Sequence, residues 1–263
     1  MKKQRRRRWF FWGLTALITL ALAIGVIGWM MFQSIPAWYQ PVSVTGKQEL
    51  QKIRDDLLGT LDTFGTALVH HQRKFQYKLN QRQLNDWLSA RRQIWPGSRH
   101  WLPPQLTDPF IALSPDGVRV GVTYRNGEVK TVLNAHLAVK ATRDGILVHL
   151  KNVQAGRVDI PRDWLREKLT SMAGNRWPAG EKAPFQYGPR PLPPLGDLFE
   201  GALFPSRWIW ENGEQPFQIV DIQYRQGAVI VTVEPLGETH SDSRPKTQST
   251  SPPRQFDWDG FLK

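Results

Sequence analysis

Six histidines are the best candidates in this chain for metal ligands and proton carriers: His70, His71, His100, His136, His149 and His240. His70 and His71 adjoin at the end of a helical pattern. Neighbours on a helix project about 100° apart, so this pair cannot close on one metal as two histidines four residues apart would. His136 and His149 fall on adjacent predicted strands, where two imidazoles can face each other across a sheet. Zinc takes four ligands, however, and no third or fourth is apparent. The absence of cysteine removes thiol nucleophiles, thiolate metal ligands and disulfides together. Serine chemistry has no Gly-x-Ser-x-Gly elbow to work from, and there is no glycine-rich phosphate loop. The neighbouring carboxylates Asp55 and Asp56 sit on the polar side of a predicted helix, where solvation is the ordinary state of an acid. One pattern points toward an enzyme. Tryptophans stand beside prolines in residues 95–109 and 177–194, and indole faces can stack on sugars. A cell-envelope hydrolase acting on glycan or lipid is therefore the alternative reading, with its site in those loops. No catalytic residue, metal ligand or cofactor site can be assigned.

With polar chemistry this sparse, the candidate working surface is apolar. Val129, Thr131, Leu133, Ala135, Leu137, Val139 and Ala141 alternate with mostly polar residues, the period of a strand with one apolar face. The ligand-facing candidates are Val129, Leu133, Leu137 and Val139, with Trp164 from the helix that follows the sheet. If that helix leaves the face partly open, an acyl chain or other amphipath can lie on it. If it covers the face fully, the result is an ordinary core, the commoner fate of an apolar sheet face.

The elements that position this surface read as an α+β fold: an antiparallel meander packed on helices. Leu50, Ile53, Leu57, Leu61, Phe64 and Leu68 recur at steps of three and four, predicting a helix over 47–70 that lies on a sheet or pairs as a coiled-coil seam. Residues 74–79 alternate as a strand. Asn80 and Gln83 have capping-box spacing for a short helix over 81–90. The meander comprises strands at 110–113, 118–125, 128–142 and 146–153, with hairpin signals at Asn126-Gly127 and Asp144-Gly145. Pro161 opens a helix with Trp164, Leu165, Leu169 and Met172 on its apolar side. A short helix at 195–203 and a hairpin over 217–224 and 228–235 complete the domain.

Location is the most legible property. Residues 9–32 contain no charge and follow six cations, Lys2, Lys3 and the arginines at 5–8. Twenty-four helical residues span about 36 Å, enough to cross a hydrocarbon core of about 30 Å. Trp9, Trp12 and Trp29 stand near the two ends, as interfacial aromatics do. The run is longer than a signal-peptide core, and Gln33-Ser34-Ile35-Pro36-Ala37-Trp38 is a poor cleavage site. The expected organisation is a cytoplasmic basic tail (1–8), a transmembrane helix (9–32), a linker (33–46), an extracytoplasmic domain (47–237) and a disordered tail (238–263). Half of the net +12 charge lies in that basic flank, so it signals topology and not nucleic-acid binding. The expected partners are the bilayer and a lipid or envelope protein; the sequence leaves the oligomeric state open.

Three phrases in order carry a family resemblance. The first is Tyr77-Lys78-Leu79-Asn80-Gln81-Arg82-Gln83-Leu84-Asn85-Asp86-Trp87-Leu88. The second is the turn Ser114-Pro115-Asp116-Gly117. The third is Gly156-Arg157-Val158-Asp159-Ile160-Pro161 at a helix start. This arrangement behind an N-terminal anchor resembles the YpmS-like single-pass bacterial membrane proteins and, more loosely, the tubular lipid-binding proteins of the envelope. The resemblance implies a bent sheet wrapped on a helix, lipid as the ligand class and no catalytic residues.

Overall fold

The protein is described by a computed structural model covering residues 2–44, 46–70, 73–94, 102–173, 193, 195–210 and 215–236. The first helix, α1 (Lys2–Gln33), runs unbroken from the basic flank through the apolar stretch. Within it, Leu14–Gln33 is long and apolar enough to cross a membrane, and none of that span is buried by the rest of the chain. It is the only such helix among the described residues, consistent with a single-pass anchor. An apolar helix that finds no protein to pack on has lipid as its natural solvent.

The segment after α1 is no free spacer. Pro36 and Tyr39 are buried, and the chain turns there through a Tyr39 N–H bond to the Pro36 carbonyl. Helix α2 (Lys47–His70) has the bounds its stripe predicts. The stripe serves two partners. Ile53 and Leu57 pack with Ala90 and Ile94 of α3 (Gln81–Ile94), while Leu68 packs with Phe217 and Val233 of a sheet. At the start of α3 the Asn80 N–H donates to Gln83 Oε1 at 3.3 Å, the reciprocal half of a capping box.

Two antiparallel sheets follow. The smaller has the order β1 (Phe75–Asn80), β10 (Ala228–Pro235), β9 (Gln215–Arg225), β8 (Arg207–Trp210). The larger has the order β2 (Leu106–Ser114), β3 (Gly117–Asn126), β4 (Val129–Ala141), β5 (Ile146–Ala155), β6 (Val158–Asp159), and β7 (Ala202–Phe204) pairs with β5 at the end away from β6. Strand β2 starts four residues before its expected position. A bulge between Thr107 and Phe110 and the positive φ of Asp108 carry it past Pro109, which cannot donate to a ladder. Strands β6, β7 and β8 are two to four residues long, too short to show a period.

The exposed edge of β2 is closed by side chains. Asn85 Nδ2 donates to the Ile111 carbonyl, the Ile111 N–H donates to Asn85 Oδ1 and the Leu113 N–H donates to Gln81 Oε1, all at 2.7–2.8 Å. Gln81 and Asn85 are four apart, hence on one helix face, and together they do for the edge what another strand would. The β9–β10 turn is fixed to the same place by a Gly227 N–H bond to the Leu113 carbonyl. The 3₁₀ turn Leu195–Phe199 lies beside β5, and helix α4 (Arg162–Ala173) lies against that turn, with Arg162 donating to the Lys151 carbonyl of β5.

Candidate functional site

Register places five apolar rows across the larger sheet, because directly paired residues share a face. Leu113, Val118, Leu137 and Leu150 form one row, and Ile111, Val120, Ala135 and Val153 the next. Val122, Leu133 and Ala155 form a third, and the pairs Val139–Val148 and Ala141–Ile146 extend the face along β4 and β5. No charged side chain stands in any row. A bulge between the His136 and Leu137 pairings keeps the face continuous: it inserts one residue into β5, so that 146, 148 and 150 and then 153 and 155 all stay on the apolar side. Strand β4, at about 3.4 Å per residue, makes the face about 40 Å long.

This face is only partly covered. Leu113, Ile146, Leu150 and Ala155 are buried, whereas Val118, Val120, Val122, Leu133, Ala135, Leu137, Val139 and Val148 are half-buried. On the opposite face one cluster is closed over. There Phe110 and Val132 pack under Tyr39 and Trp38. The Tyr39 hydroxyl donates to the Asp108 carbonyl at 2.5 Å and lies 2.8 Å from Thr123 Oγ1. Burial raises the Tyr39 phenol above its ordinary range, and the Thr123 bond opposes that rise. Gly121 lies beneath the two rings. A Cβ there would stand 2.7 Å from Tyr39 and 2.9 Å from Trp38.

Further along that opposite face, Arg119, His136 and Asn152 are paired across three strands, the first two half-buried and Asn152 exposed. His136 Nε2 is buried without a partner among the described residues. Burial, then the charges of Lys151 and Arg119, hold this imidazole below its ordinary value. His149 pairs with Ala138 and not with His136, so the two histidines are not directly opposed. Among the described residues no group of three or more His, Cys, Asp or Glu could hold a metal.

The end of α1 abuts the end of this sheet where β4 starts and β5 turns into β6. The Arg157 N–H donates to the Met31 carbonyl at 3.0 Å, and Thr131 Oγ1 donates to the Phe32 carbonyl at 2.5 Å. These carbonyls are helix-end acceptors without intrahelical partners. Gly156, at φ +62°, brings its backbone against both, and any Cβ would collide with them.

Of the candidate ligand-facing residues, Leu133, Leu137 and Val139 share the half-buried face, and Val129 is half-buried at the start of the same strand. Trp164 is 51% exposed on α4 and belongs to none of the three buried clusters. Helix α4 leans instead on the 3₁₀ turn, where Arg166 lies over the Phe199 ring and pairs with Glu200. The part of the Trp/Pro-rich loops at residues 95–101, 174–192 and 194 lies outside the described residues, as do His71, His100, His240 and the tail at 238–263. Sequence reading missed Trp38, Tyr39, Thr131 and Gly156. Two adjacent aromatics after Pro36 were the available signal; Thr131 reads only as part of the β4 alternation and Gly156 only as the start of the phrase ending at Pro161, and neither reading points to α1.

The fold and site define an α+β domain with a partly covered apolar sheet face behind an N-terminal apolar helix. Comparisons with family models, curated proteins and solved structures find no match.

Proposed function

We propose that this chain is a single-pass bacterial envelope protein without catalytic activity whose meander face binds the acyl part of a lipid. The basic flank stays in the cytoplasm by the positive-inside bias, and the domain after α1 lies outside. One observation carries the reading: a charge-free face four strands wide keeps most of its row residues only half-buried, although Phe110 and Val132 on the opposite face are closed over by Trp38 and Tyr39. Large exposed apolar patches on folded domains mark sites of contact with ligand, membrane or partner. Lack of charge favours a hydrocarbon over a polar ligand. The Val122–Leu133–Ala155 row lies next to Thr131 and Gly156, which touch the end of α1, so the face begins beside the bilayer.

Native mass spectrometry of the full chain, released gently from membranes, tests this. The natural chain should carry a phospholipid-sized adduct that Leu133→Asp/Leu137→Asp loses while its circular dichroism stays unchanged. Equal lipid adducts on both chains would refute the site. A protein bound to the natural chain and lost from the variant, with no lipid on either, would make the face a protein-docking surface.

A further inference from the structure

We infer that the β5–β6 turn and Ile35, two residues beyond α1, form a second membrane contact, with the phospholipid headgroup layer as occupant, so that the domain rests on the bilayer and does not swing on a tether. The inference rests on the proposed single-pass anchor and is independent of whether the sheet binds lipid. The argument is one of depth. The apolar span Leu14–Gln33 has 20 residues, about 30 Å of helix, which matches the hydrocarbon thickness. Met31 and Phe32 therefore lie at its outer boundary, where Trp29 stacks on Phe32 at 5.7 Å as interfacial aromatics do. Arg157 and Gly156 touch the carbonyls of these same two residues, which fixes the turn at headgroup depth.

What the turn exposes there suits that layer. Val158 is 37% exposed and Ile35 is 54% exposed, and an apolar side chain at this depth enters the acyl boundary. The exposed Arg157 can lay its stem along the apolar side and give its guanidinium to lipid phosphate. Two hydrogen bonds, from the Arg157 N–H to the Met31 carbonyl and from the Thr131 hydroxyl to the Phe32 carbonyl, with the buried Tyr39 behind them, leave little freedom for a hinge between helix and sheet.

The chain lacks cysteine, so single-cysteine variants of the full protein report one position each. Gly25→Cys, Ile35→Cys, Val158→Cys and Asp144→Cys would each carry a polarity-sensitive fluorophore in nanodiscs containing phosphatidylglycerol and either headgroup or deep-chain spin labels. Position 25 has open space around it, and Asp144 lies in the β4–β5 turn at the opposite end of β5. Positions 35 and 158 should be quenched by headgroup labels severalfold more strongly than 144, and position 25 by deep labels. Quenching at 25 with 158 no stronger than 144 would overturn the inference and leave the anchor standing. No quenching at 25 would remove the anchor, and the inference with it. Disulfide-linked dimers of the unlabelled Val158→Cys chain, with 158 unquenched, would assign the patch to a second copy and also overturn it.

Discussion

The two sheets use similar residues and end in different states. In the smaller sheet, Phe64 of α2 meets Phe75, Tyr77, Trp210 and Phe217 with ring centroids 5.2–6.0 Å apart, and Leu68 and Val233 are almost fully buried beneath it. The larger sheet presents a longer apolar face of which Leu113, Ile146, Leu150 and Ala155 are buried and the other row residues half-buried, and among the described residues its rows belong to none of the three buried clusters. On its other side Trp38 and Tyr39 close over Phe110 and Val132. The difference teaches that alternation identifies the apolar face of a strand but not what covers it. Cover comes from other elements of the chain, here a helix for one sheet and two aromatic rings for part of the back of the other.

This contrast can be broken by mutation, starting where the effect should be greatest. Leu68→Ala empties a closed core and should destabilise the domain by about 3 kcal/mol, read as a lower urea midpoint for the chain in detergent. Gly121→Val drives a side chain into the Tyr39 and Trp38 rings and should destabilise by about 2 kcal/mol. It should also increase protease cutting at residues 34–44, since it unseats the linker. Leu137→Gln, on the open face, should change stability by less than about 1 kcal/mol; a loss as large as that of Leu68→Ala would mean the face is closed core.

A smaller effect should appear with pH. His136 has a folded value depressed below the ordinary imidazole value near 6.5. The unfolded chain then takes up the proton first, so stability is full above pH of about 6.5 and falls as pH drops through that value toward the folded one. His136→Gln should flatten the slope of the urea midpoint against pH in that window. An unchanged slope would place the imidazole in solvent.

Much of the architecture was legible because it is local. The stripe of α2, the alternation of β4 and the hairpin signals at Asn126-Gly127 and Asp144-Gly145 all depend on neighbours a few residues apart. The features around the site are not local. The bulge at Asp108 and Pro109 lengthens β2 past a proline that reads as a stop, and Gly156 matters because α1 reaches it from over a hundred residues away. Tyr39 reads as a linker residue until Thr123 and Asp108 are seen around its hydroxyl. Helix α4 was expected to cover the sheet on the strength of its apolar side, yet Trp164 stands half in solvent. Amphipathicity shows that a helix has a partner face without naming the partner.

Photocrosslinking tests the central claim most directly. The full chain, reconstituted with a phospholipid carrying a diazirine on its acyl chain, would be irradiated and its labelled peptides mapped. The account predicts labels in Val129–Ala141 and Ile146–Ala155 as well as in α1, with those on the strands lost in Leu133→Asp/Leu137→Asp. Labels confined to α1 and its flank, on a domain that is folded, would contradict it.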